Sequence, residues 1–269
     1  MGDRSLILEI LRWVPFATYA ALAALHARRW FSSVPAEAIE YRAWRVAGVL
    51  VHGALVLALA WIQSRLPFGT MWEALSLATL VLAGSYLLLE HLAKSSALAA
   101  AFFSLASLGS LLSAANHEPP RWPVHVQSVL FAAHATCGVA GLALLVAAGL
   151  LAAAWLLQYR ELRARRFGRI SQRLPDLAAL DRLFLAASIV GTATLVVGGS
   201  MGVFWMLSQG RELQTVLPKF SMVLFTVVWN LVLQALRRRE DFSIRAAAWM
   251  GFLGILPASI VIWVGAGGY

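Results

Sequence analysis

The sequence has a single cysteine, Cys137, and it lies within an apolar run. An internal disulfide, a CxxC thiol pair and a cysteine-based metal cluster are therefore excluded, and thiol redox chemistry is not this chain's own work. Charge is scarce as well: 13% of the 269 residues are Asp, Glu, Lys or Arg, against 60% hydrophobic. Those apolar residues come in runs of about twenty, long enough at ~1.5 Å per residue to cross a hydrocarbon core. The composition predicts an integral membrane protein. No stretch is left over for a soluble domain, and no grouping of nucleophile, base and oxyanion donor predicts an enzyme.

Hydropathy predicts an all-α fold, a polytopic helical bundle of about eight spans forming one membrane domain over residues 1–269. The spans fall at roughly 6–27, 44–63, 71–91, 96–115, 124–157, 183–207, 217–236 and 246–267. The first run carries Arg12 at its centre and no small-residue cleavage pattern follows, so it reads as a retained span rather than a secretory signal. The fifth run is longer than a bilayer requires, and its end near LLQYRELRARR is expected to continue as helix into water.

Basic residues set the expected orientation. The loops after spans one, three, five and seven, with Arg28, Arg29, Arg42 and Arg45 in the first of them, hold sixteen Lys and Arg; the opposite side holds five, at Arg4, Arg65, Arg121, Arg211 and Lys219. Positive charge stays cytoplasmic, so both termini are expected outside. The net charge of +9 then points to anionic lipid headgroups at the Arg-rich loops, not to nucleic acid.

This topology places six histidines. His117 and His125 fall outside, His52 lies in span two a couple of turns from the cytoplasm, and His26 and His91 fall at cytoplasmic ends at headgroup level. His134 is nine residues beyond His125, about 13 Å deeper and on the opposite helix face, so one ligand cannot meet both. His134 reads as a bundle-packing residue, and His52 taken alone as a packing donor to a carbonyl or serine. Trp72, Trp122 and Trp205 read first as interfacial belt residues. In PFGTMWEALSL, residues 67–77, Thr70 and Glu73 form a T-x-x-E capping box opening span three. Capping explains both; a second role for Glu73 stays open because it shares a side with His125. Gly138 and Gly141 in span five and Gly191, Gly198 and Gly202 in span six predict close helix packing, with room for a flat cofactor at Gly198 to Gly202 as the second reading.

Five segments in order carry a resemblance: LVHGALVLAL around His52; PFGTMWEAL; HV at His125, opening the span that ends in LLQYREL; LPDLAALDRL; and LPKFSMVLFTVVW. From about Val49 onward the chain resembles the cytochrome c assembly membrane family that includes CcsA, and most of all its short eight-span members of the HemX and YpjD type. The resemblance implies heme handling in a bacterial inner (cytoplasmic) membrane. His52 matches an intramembrane heme-iron ligand and His125 the first outer one, with Glu73 and Trp122 as further heme-binding candidates; neutral imidazole is a good axial ligand. Where CcsA-like proteins carry WGxxWxWDPKE, this chain reads SQGRELQTVLPK, and two of their four histidines have no counterpart. The resemblance therefore implies an accessory that binds or passes heme, alongside a CcsB-like partner or apocytochrome c, and not a self-sufficient synthase. The alternative is a non-heme scaffold or regulatory subunit that keeps the fold and binds a protein partner. A solute carrier is disfavoured by the lack of an inverted repeat and of interrupted spans.

Overall fold

The computed structural model describes residues 2–31, 39–116, 128–165, 168, 172–210 and 217–267, and among them it contains helices and no strand. The helices are α1 (Gly2–Phe31), α2 (Ile39–Gln63), α3 (Met71–Ala93), α4 (Ala99–Ala115), α5 (Val129–Arg163), α6 (Leu177–Ser208), α7 (Leu217–Leu236), α8 (Ile244–Leu253) and α9 (Ile255–Gly267). Each predicted span has a helix, and the last is two helices parted at Gly254. The 35 residues of α5 amount to about 52 Å, well beyond a ~30 Å hydrocarbon core, as expected from its length.

Local chemistry explains where helices begin. Thr70, Ser128, Asp176 and Ser243 each sit at an N-cap and accept an N–H from the third residue of the helix, which meets one of its orphan donors. Asp176 starts α6 six residues before the predicted span, so Asp181 lies within the helix and takes a 2.6 Å ion pair from Arg237, just beyond α7.

Five helical stretches among the described residues are long and apolar enough to cross a membrane, at Tyr41–Gln63, Met71–Ala93, Val129–Arg163, Leu177–Ser208 and Ile244–Val261; Ala99–Ala115 and Phe220–Leu236 are shorter and apolar. The core is apolar, yet large apolar side chains also face outward while a few polar ones are buried. Leu57 and Trp61 are 72% and 86% exposed, whereas Arg45 and His52 are 0% and 1% exposed. Lipid tolerates the first pair, and only internal partners make the second affordable.

Helix α5 pairs with α6 along most of its length, α1 packs on α4, and α3 lies between α4 and α5. The α5/α6 seam is close because it is made of small residues: a Cβ added at Gly198 would lie 2.7 Å from the Gly138 nitrogen. One turn along the seam, a Cβ at Gly202 would fall 2.4 Å from Cε1 of His134. The space at Gly198 to Gly202 is therefore filled by His134 and the α5 backbone, which removes the flat-cofactor reading there. Gly202→Val should overpack the seam and lower stability by about 1–3 kcal/mol in detergent unfolding, with Gly199→Val, whose nearest neighbour is a side chain at 4.0 Å, much milder.

Candidate functional site: a cleft between the first four helices

The turn joining α2 to α3 is built around one carboxylate. Glu73 lies at the third position of α3 and donates its N–H to the Thr70 hydroxyl at 3.1 Å. Its side chain does not return to the Thr70 N–H as a full capping box would. It accepts instead from the Gly69 N–H at 2.9 Å and from both ends of the Arg65 guanidinium, at 2.8 and 2.5 Å. The paired fork neutralises Glu73 and fixes the entry to α3.

Beside this turn opens a cleft of about 720 Å³, counting its open mouth. Arg12 and Pro15 reach it from α1, His52 and Gln63 from α2, and Trp72, Glu73 and Ser76 from α3. Ser113 and Asn116 close it from α4, and Leu55, Val56 and Leu59 supply apolar wall. Pro15 lies inside α1, and a proline there removes the helix hydrogen bond to the carbonyl four residues back, at Leu11, itself on the cleft wall.

His52 sits at the inner end of this cleft. Its Nδ1 is 3.0 Å from the Tyr19 hydroxyl and its Nε2 is 2.9 Å from Ser76 Oγ. The sequence reading set His52 near the cytoplasmic end of a span. In the structure α2 begins at Ile39, His52 is mid-helix, and the cleft it faces opens at the end bearing Gln63, Thr70 and Asn116.

Of the four residues predicted for a site, His52 and Glu73 line this one cleft; His125 and Trp122 lie outside the described residues. His134 is elsewhere, in the α5/α6 seam, with Nδ1 2.7 Å from the Gly198 carbonyl. The carbonyl can only accept, so Nδ1 carries the proton. Trp205, expected in an interfacial belt, is buried against Phe131 with ring centroids 5.0 Å apart. His91 is exposed.

Two further expectations are corrected at the opposite end of the first four helices. Arg45, assigned to a cytoplasmic loop, and His26, assigned to headgroup level, are both buried. The Arg45 guanidinium grips Glu90 of α3 through Nε at 3.0 Å and through Nη2, and its Nη1 lies 3.2 Å from His26 Nε2. A guanidinium only donates, so His26 accepts through Nε2 and is neutral. Removing Arg45 from the loop count leaves fifteen basic residues against five, and the expected orientation is unchanged.

Sequence reasoning missed Tyr19, Ser76 and the Arg45–Glu90 pair. A signal was present: Tyr19 and His26 are seven residues apart on α1, and Arg45 and His52 are seven apart on α2. Seven residues is two turns, so each pair shares a helix face, and in helices of opposite direction the two pairs meet. Among the described residues no three His, Cys, Asp or Glu side chains group to hold a bare metal ion. His52 is a lone imidazole in a partly apolar cleft, an arrangement suited to one axial position on a metal that brings its own equatorial ligands.

The family model described as Cytochrome C assembly protein matches residues 68–264. The chain belongs to the cytochrome c assembly protein family. It is thus a heme-related membrane protein of cytochrome c biogenesis. The match takes in Trp72, Glu73, Ser76, Ser113 and Asn116 on one wall of the cleft. Arg12 and His52, on α1 and α2, line the same cleft and precede the matched residues. No curated protein matches the chain.

Proposed function

We propose that this protein is a heme-handling accessory of cytochrome c assembly, which binds heme in the cleft at His52 and holds or passes it to a partner. The observation that carries this reading is the meeting of an imidazole, a guanidinium, an indole and apolar wall in one cleft, at Arg12, His52, Trp72 and Leu55. The residues fit the group. A porphyrin needs apolar contact for its faces, a cation for its carboxylates and a nitrogen for its iron, and the cleft lining supplies each kind of group, at Leu55, Arg12 and His52. Heme contributes the iron and its redox chemistry; the protein contributes binding, orientation and exclusion of water.

The narrower assignments belong to the same proposal. The chain is of the short, eight-span HemX or YpjD type, with both termini on the outer face of a bacterial inner membrane. His125 and Trp122 supply a second ligand and a stacking face at the outer surface. The absent Trp-rich loop and the two missing histidines make it an accessory, which acts beside a CcsB-like protein or apocytochrome c and rests its Arg-rich loops on anionic lipid. One observation favours the scaffold alternative: both nitrogens of His52 already have protein partners.

Filling the cleft at a residue that does not bond His52 separates the two. Ser113→Leu replaces a half-buried hydroxyl on the cleft wall with a larger apolar group. On titration with heme, tryptophan fluorescence of the wild type should be quenched with saturation, and Ser113→Leu should weaken binding by at least about tenfold, which is ~1.4 kcal/mol. Equal affinity in the two proteins would place any heme elsewhere.

A further inference from the structure

Tyr19 does not line the cleft, yet it controls the side chain that does. It is fully buried on α1, and its ring meets His52 edge-on with centroids 5.5 Å apart, while Phe103 of α4 stacks on the phenol at 5.8 Å. Among the described residues the Tyr19 hydroxyl has one hydrogen-bond partner, His52 Nδ1 at 3.0 Å. A buried hydroxyl proton without an acceptor is costly, so the phenol donates and Nδ1 accepts. The imidazole proton then resides on Nε2 and is donated to Ser76 Oγ at 2.9 Å.

We propose that Tyr19 is a positioning residue that sets the tautomer of His52, and so decides whether Nε2 meets the cleft as an N–H or as a lone pair. The proposal rests on the reading of the cleft as a heme site. In this arrangement the Nε2 proton is held by Ser76 at the cleft wall. A ligand that needs the Nε2 lone pair requires the other neutral tautomer: one proton leaves Nε2, one is gained by Nδ1, and the ring stays uncharged. In that tautomer the phenol would have to turn and accept from Nδ1–H, leaving its own buried proton without an acceptor among the described residues, so Tyr19 opposes it. Ser76 cannot impose either state, because a serine hydroxyl donates or accepts with equal ease. Tyr19 can, because among the described residues the phenol has no second acceptor to turn to.

The test is nitrogen NMR of ¹⁵N-histidine-labelled full-length protein in lipid, with the His52 signals assigned by their loss in His52→Asn. In the ligand-free wild type the Nε2-protonated form should be in about tenfold excess, the ratio expected from one hydrogen bond of ~1.4 kcal/mol. Tyr19→Phe keeps the ring and its packing, and should bring that ratio to about one. Ser76→Ala should leave the excess in place. A wild type with the proton mainly on Nδ1, or a ratio that collapses in Ser76→Ala and not in Tyr19→Phe, would overturn the proposal. Hemin is then added: Tyr19→Phe should bind it about tenfold more tightly than the wild type, because the tautomer that offers the Nε2 lone pair no longer leaves a buried phenol proton without an acceptor. An unchanged or weaker affinity would overturn the second half of the assignment. The NMR arm uses no heme, so a protein with the expected tautomers that takes up no hemin supports the positioning role while refuting the heme reading.

Discussion

Arg45→Met should destabilise the protein by about 3–5 kcal/mol, and adding Glu90→Leu should recover most of that loss. The expectation follows from burial. Arg45 is 0% exposed and the Glu90 side chain 11% exposed, within stretches apolar enough to span a membrane. Removing the guanidinium strands a carboxylate and leaves His26 Nε2 without its donor. Removing both charges leaves only one histidine acceptor to satisfy. Unfolding in detergent of the two single variants and the double variant measures this directly, with a coupling term of several kcal/mol expected between the sites. Additive losses would mean that the charges reach water or lipid headgroups independently.

The same pair explains what the sequence could and could not reveal. Helix positions were legible because a twenty-residue apolar run has few alternatives in a membrane, and Thr70 was legible as a cap because its partner is three residues away. Arg45 was misplaced because its partner is 45 residues away. A loop count assigns an arginine by the hydropathy around it, and near the end of a span nothing local distinguishes a headgroup contact from a buried ion pair.

The cleft was legible only in part for a similar reason. His52 and Glu73 were named as candidates from the sequence, and the structure puts both on one cleft. Tyr19, 33 residues from His52, carries no motif, and its relevance appears only when α1 and α2 are laid side by side. The capping box was half right: the Thr70 arm formed, while the Glu73 arm was taken by Arg65 and Gly69, because a bidentate ion pair outcompetes one backbone N–H. Trp205 was read as a belt residue from its place near the end of an apolar run; its contact with Phe131 comes from the α5/α6 pairing, which hydropathy does not encode.

The second large effect concerns His52 itself. The side chain is 1% exposed, fixed from both nitrogens, and lines the cleft. If it is the iron ligand, its loss must cost at least as much as the loss of an outer partner, which is ~10–100-fold in affinity. The loss should also be chemical in kind. An exogenous imidazole should restore the spectrum of His52→Gly by entering the vacated space, as it could not do for a variant that had merely unfolded.

The most direct measurement is the visible absorption spectrum of the detergent-purified protein, produced with ample heme supply, for the wild type, His52→Ala and His52→Gly with added imidazole. The account predicts a Soret band in the wild type, at least a tenfold fall in occupancy in His52→Ala, and recovery with imidazole in His52→Gly. A wild type that is colourless and stays colourless when hemin is added would contradict it, and the cleft would then belong to a fold retained for a protein partner.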